Sequence, residues 1–123
     1  MGMSLDETRV GGMGPQESGR AKVPNASLLV VHAPDEATKG HRFPVGEEDL
    51  SLGREEGSAI VIASDQASRR HARIFASGGA HVLVDLDSTN GTYLNSKLVK
   101  EQTLRHGDVL RIATTVLKYL VES

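Results

Sequence analysis

The sequence predicts an all-β fold, and three observations carry that prediction. From residue 27 onward, short runs rich in Val, Ile and Leu recur every several residues, divided by Gly, Asp, Asn, Ser and Pro. Residues 81–86 alternate without interruption, placing Val82, Val84 and Leu86 on one face and His81, Leu83 and Asp85 on the other. No stretch keeps apolar residues at the spacing of an amphipathic helix. Many short strands with frequent turns make a sandwich or a barrel. Periodicity does not choose between the two, and no internal repeat points to a propeller or solenoid.

The first run, residues 27–32, is Ser-Leu-Leu-Val-Val-His. It is closed by a loop at 33–40 containing Pro34-Asp35, where proline presets φ and the Asp side chain bonds nearby backbone. Candidate strands follow at 41–45, 49–52, 59–62 and 72–76, and then comes the alternating run at 81–86. Asn90-Gly91 is the strongest short hairpin signal, so a tight turn is expected there. Beyond it, residues 92–94 and 97–99 are short enough to be hairpin pieces. The last pair is 109–113 and 115–121, in which Val116, Lys118 and Leu120 oppose Thr115, Leu117, Tyr119 and Val121. Residues 1–26 are rich in Gly, Pro and small polar types, including Gly11-Gly12-Met13-Gly14-Pro15, and carry no hydrophobic period. They are expected to form a flexible N-terminal tail ahead of one domain at 27–123.

A chain of 123 residues suffices for a single modest core. With two Phe, two Tyr and no Trp, that core is aliphatic. Each fully buried Val, Ile or Leu contributes roughly 1.5–3 kcal/mol. A formal net charge of −2 speaks against a general nucleic-acid binder, so any anion site has to be local. The lack of cysteine removes disulfides, thiolate metal sites and thiol nucleophiles, and no cofactor or metal is expected. Residues 1–10 lack the apolar core of a signal peptide, and no apolar run approaches a membrane span. The expectation is a cytoplasmic protein without membrane insertion.

Three patches stand out between the apolar runs: Gly53-Arg54, Ser68-Arg69-Arg70-His71-Ala72 and Ser88-Thr89-Asn90-Gly91-Thr92. They combine cations, hydroxyls and an amide, which is the chemistry for holding a phosphate. A guanidinium offers five donors in a fixed fork suited to phosphate oxygens, although one arginine after Leu50 and Leu52 is equally a solvated loop residue. Ser68 and the amides after it can donate to an anion, with Arg69 or Arg70 adding charge, or can cap their own turn. A serine hydrolase using Ser68, His71 and Asp65 is the enzymatic alternative, but no oxyanion hole or orienting group is indicated. His71 reads better as a structural hydrogen-bonder that fixes its loop. A plain hairpin at Asn90-Gly91 does not require Ser88, Thr89 and Thr92 around it, so these hydroxyls suggest a loop that orders its neighbours or grips a ligand. No catalytic residue is assigned.

Taken in order, the patches resemble the forkhead-associated (FHA) domain of bacterial type. The resemblance covers about residues 27–121 and also draws on residues 85–95, Leu104 and Gly107-Asp108. It implies an eleven-stranded β-sandwich of the FHA type that reads phosphothreonine peptides through loops at one end, without catalysis. Position by position, it implies that Arg54 and Ser68 contact the phosphate with Arg69 alongside, that Thr89 shapes a pocket for the threonine methyl, and that Asn90 bonds the peptide backbone. Gly53, His71 and Gly91 match loop scaffold positions, and Arg70 matches a commonly basic one. Two departures bear on the expectation. Ala113 stands where glycine is frequent, and Gln66-Ala67 offers no cation to select an acidic residue downstream of the phosphothreonine.

Thr8, in Leu5-Asp6-Glu7-Thr8-Arg9-Val10, is a candidate phosphosite, because the chain is similar to bacterial FHA proteins whose tails carry a kinase-modified threonine after acidic residues. The expected partners are a phosphothreonine-containing protein or peptide, the chain's own tail included, and an upstream Ser/Thr protein kinase. A phosphorylation-independent interaction domain, or the sensory part of a larger enzyme such as a nucleotide cyclase, stays open as an alternative.

Overall fold

The computed structural model describes residues 22–122 and places eleven strands and no helix among them. They are β1 (Ala26–His32), β2 (Arg42–Val45), β3 (Leu50–Gly53), β4 (Ile60–Val61), β5 (Ala72–Ser77), β6 (Ala80–Asp85), β7 (Thr92–Leu94), β8 (Lys97–Val99), β9 (Glu101–Thr103), β10 (Val109–Ile112) and β11 (Thr115–Val121). Two sheets form, one of six strands in the order β2-β1-β11-β10-β7-β8 and one of five in the order β4-β3-β5-β6-β9. The predicted all-β sandwich is therefore the observed fold. All pairings are antiparallel except that of β3 with β4.

Period-two alternation turns one row of each strand into the space between the sheets. Leu28, Val30, Leu110, Ile112, Leu117 and Tyr119 enter from the six-stranded sheet, facing Leu52, Ile60, Ala72, Ile74 and Leu83 of the other. The core is aliphatic, as the composition requires, with Tyr119 its one fully buried aromatic besides the histidines. Among the described residues no helix is long and apolar enough to cross a membrane, and no cluster of three His, Asp or Glu side chains could hold a metal ion.

In β6 the row that turns inward is His81, Leu83 and Asp85, while Val84 and Leu86 lie on the outer side. The two polar members are tolerated in the interior because each finds partners. His81 Nε2 lies 2.9 Å from the Gly46 carbonyl, which only accepts, so Nε2 donates and Nδ1 accepts from the Tyr119 hydroxyl at 2.6 Å.

The Asn90-Gly91 signal marks a turn that joins no hairpin. β6 and β7 lie in different sheets, and residues 86–91 carry the chain across the end of the sandwich. A two-residue hairpin follows instead at Asn95-Ser96 between β7 and β8, with φ of 51° and 70°, the geometry of a type I′ turn. β9 is the strand absent from the sequence reading. Glu101, Gln102 and Thr103 are all exposed, so no apolar alternation announces them.

Candidate functional site

β3 and β5 are hydrogen-bonded neighbours, so the loop leaving β3 and the loop entering β5 open at the same end of the sandwich. Gly53 makes their close approach feasible. A Cβ at Gly53 would run into the Arg69 carbonyl oxygen and lie 2.9 Å from its carbon, so only glycine lets the two backbones touch. Across this contact the Arg54 amide donates to the Ser68 carbonyl at 3.0 Å and the Glu55 amide to the Arg69 carbonyl at 3.1 Å. The Arg54 side chain is aimed by one further bond, from Nε to the Ala67 carbonyl at 3.0 Å, which orients the guanidinium over the depression.

The third loop, 86–91, reaches the same place from β6. His71 ties it to the Ser68 loop from beneath. Its side chain is fully buried; the Ser68 amide donates to Nδ1 at 3.0 Å, and Nε2 donates to the Gly91 carbonyl at 2.8 Å. This pattern needs one bare and one protonated nitrogen, so the ring is a neutral imidazole in the Nε2–H tautomer. With both nitrogens engaged inside, His71 is not a general base for Ser68, and the enzymatic alternative loses its central residue.

Above the imidazole, the Thr89 amide donates to the Ser68 hydroxyl oxygen at 3.0 Å, leaving the hydroxyl proton of Ser68 for an acceptor in the depression. Asn90 Nδ2 donates to the Gln66 carbonyl at 2.8 Å, with Gln66 Oε1 at 3.3 Å. Gly91, at φ +89°, makes the bend that brings Asn90 over, and a Cβ there would meet Leu98 Cδ1 at 2.5 Å.

Asp85 holds the loop in shape from its base. Its carboxylate, 2% exposed, accepts from the Ser88 hydroxyl at 2.5 Å, the Ser88 amide at 3.1 Å and the Thr92 hydroxyl at 2.7 Å, with Lys100 Nζ 3.8 Å away. The Ser88 hydroxyl accepts in turn from the Gly91 amide at 2.9 Å. Burial pushes the Asp85 carboxyl up, but the bonds from Ser88 and Thr92 outweigh burial and hold it below the ordinary carboxylate value of 3.8. The hydroxyls that looked superfluous for a hairpin are thus the internal bracing of the loop.

The result is one open depression of about 330 Å³ lined by Arg54, Asp65, Gln66, Ala67, Ser68, Arg69, Thr89 and Asn90. All five residues expected to contact a ligand, Arg54, Ser68, Arg69, Thr89 and Asn90, are brought together there. Gly53, His71 and Gly91 lie beneath or beside it, making the contacts described above. Arg70 faces away, with Nε 3.7 Å from Glu55 Oε2. Thr8 lies outside the described residues. Sequence reasoning missed Gln66 as the partner of Asn90 and Asp85 as the brace. An acid three residues before a serine and seven before a threonine is the only signal that could have found the latter. Two cations, a hydroxyl donor and an amide converge on a water-accessible concavity, a donor set that suits an oxyanion.

The sequence pattern of the FHA domain family matches residues 50–113. The chain is 36% identical to the glycogen accumulation regulator GarA of Mycolicibacterium smegmatis, over 94% of this chain and 73% of that protein. It is 37% identical to the FHA domain-containing protein FhaB of the same organism over 67% of its length, where it spans about half, 54%, of the relative. A structure solved in work on phosphothreonine-dependent FHA domain interactions superposes with a TM-score of 0.70 at 28% identity, covering 80% of this chain and 98% of that one.

Proposed function

The chain belongs to the FHA domain family, and on that premise we propose that it is a non-enzymatic phosphothreonine-binding module of Ser/Thr-kinase signalling. Arg54 and Ser68 hold the phosphate with Arg69 beside them, Thr89 receives the threonine methyl and Asn90 bonds the peptide backbone. The convergence of these five side chains on one depression, with the Ser68 oxygen engaged by the Thr89 amide and its hydroxyl proton left to donate, is the observation that supports the reading. A phosphothreonine brings about −1.5 to −2 charges and three acceptor oxygens. At roughly 1.5–3 kcal/mol for each charge-assisted bond, two or three such bonds with backbone contacts reach about −8 kcal/mol, a micromolar affinity.

The same site serves as a switch when Thr8 is phosphorylated by a cytoplasmic Ser/Thr kinase. Residues 1–26 are then the regulatory segment and 27–123 the reader. From Thr8 to Ser27 the chain extends to about 65 Å, or roughly 24 Å as a coil, against a domain some 35 Å across. A tether of this length gives an effective concentration on the order of millimolar. Against micromolar intrinsic affinity, most molecules close on their own tail and outside ligands are excluded.

A degenerate phosphothreonine-peptide library, with a Thr8 phosphopeptide included and Arg54→Ala as control, tests the binding. Phosphorylation of Thr8 in the full chain is expected to shift the amide resonances of Arg54, Ser68 and Asn90 and to weaken capture of an external phosphopeptide. Unmoved resonances would rule out the switch. Failure of every phosphopeptide to bind would rule out the module.

A further inference from the structure

Beside the phosphate-facing depression lies a second cleft, of about 380 Å³, on the outer side of the five-stranded sheet. Its lining includes Ser51, Leu52, Glu55, Ser58, Arg70 and Leu86. The linings of the two hollows meet in the chain at the crossing of the loops, where the Arg54 and Glu55 amides bond the Ser68 and Arg69 carbonyls. Arg54 and Arg69 line the first hollow, while their chain neighbours Glu55 and Arg70 line the second.

The cations of the second cleft are not equivalent. Arg73 is held by Asp49 at 2.6 Å and stacks over Phe75, 4.7 Å from the ring centroid. Arg70 is 82% exposed in its side chain and meets Glu55 only at 3.7 Å through Nε. An exposed ion pair of that length contributes little, so the planar fork of Arg70 is open to a better-placed carboxylate. Leu86, 37% exposed, supplies an apolar wall beside it. The lining of the first hollow also holds an acid, the exposed Asp65. Arg70 is the weakly paired cation of the second cleft and follows directly on Arg69 of the first.

The sequence Leu5-Asp6-Glu7-Thr8-Arg9 carries acids before Thr8 and a cation after it. Charge favours one direction, in which the acids and not Arg9 approach Arg70. In an extended peptide, residues two apart project from the same side and are separated by about 6.6 Å. With phosphorylated Thr8 facing the site, Asp6 faces it too, and Glu7 turns to solvent.

We propose that the second cleft is a flanking subsite in which Arg70 recognises a carboxylate two residues before the phosphothreonine, with Asp6 of the chain's own tail as its occupant. The inference rests on the phosphothreonine reading given above. It assigns Arg70 a specificity role without contact to the phosphate.

The test is calorimetric titration of the dephosphorylated full chain with a peptide of residues 3–13 phosphorylated at Thr8, and with the same peptide carrying D6K. The native peptide is expected to bind the unmodified protein more tightly than D6K, by a factor on the order of three to ten. R70E should abolish or invert that preference, and R70Q should bring the ratio near one. R54A should remove binding of both peptides. Equal binding of the two peptides by the unmodified protein, or a preference that survives R70E and R70Q, overturns the Arg70 subsite while R54A sensitivity keeps the phosphothreonine site intact. If neither phosphopeptide binds the unmodified protein, both readings fall together.

Discussion

Replacing His71 with leucine removes the bolt between two of the three site loops while keeping a buried side chain of similar bulk. The imidazole accepts from the Ser68 amide at 3.0 Å and donates to the Gly91 carbonyl at 2.8 Å, and leucine does neither. An orphaned backbone group costs about 1–3 kcal/mol when fully buried. Ser68 and Gly91 are half-buried, so the lower part of that range applies and the pair totals about 2–4 kcal/mol. For a domain near 100 residues this lowers the melting temperature by roughly 10–20 °C. Thermal unfolding followed by circular dichroism measures it, and hydrogen exchange adds the local readout, in which the Ser68 amide should lose protection. A melting temperature within about 3 °C of the unmodified protein, with Ser68 still protected, would refute the idea that the buried imidazole joins the loops.

Gly53→Ala forces a methyl into the Arg69 carbonyl; overpacking of this kind costs about 1–3 kcal/mol, and phosphopeptide titration should show affinity falling with stability because the Arg54 and Ser68 backbones separate. Ala113 sits at φ +56° in the β10–β11 turn, so Ala113→Gly should raise stability by about 0.5–1 kcal/mol in urea unfolding without altering binding. The Asp85 carboxyl is held below its ordinary 3.8, so the stability it contributes is present above that value and is lost as pH falls through its lower folded value. Acid unfolding of Asp85→Asn should accordingly show a shallower loss of stability below about pH 4 than the unmodified chain.

The fold was legible where alternation survives in short runs. β7, β8 and β11 begin and end where the sequence places them, and the other expected strands differ by one residue at one or both ends. β9 was illegible because a fully exposed Glu-Gln-Thr edge strand has no buried row to reveal it. The orientation of β6 depends on tertiary partners, since His81 and Asp85 are acceptable inside only when Tyr119, Gly46, Ser88 and Thr92 meet them. Local chemistry named the residues of the site. Their convergence, however, follows from β3 and β5 being neighbours and from a loop that crosses between sheets, which no local pattern encodes. The Asn90–Gln66 bond links residues 24 apart in sequence, and neither amide advertises the other.

The most direct test of the central claim is a matched titration. The full chain and its Arg54→Ala variant are each titrated with a peptide of residues 3–13, phosphorylated or unmodified at Thr8. The phosphorylated peptide is expected to bind the unmodified chain with micromolar affinity, with loss of at least about tenfold both on removing the phosphate and on removing the guanidinium. Equal affinity for the two peptides, or equal affinity of the two proteins for the phosphorylated one, would contradict it.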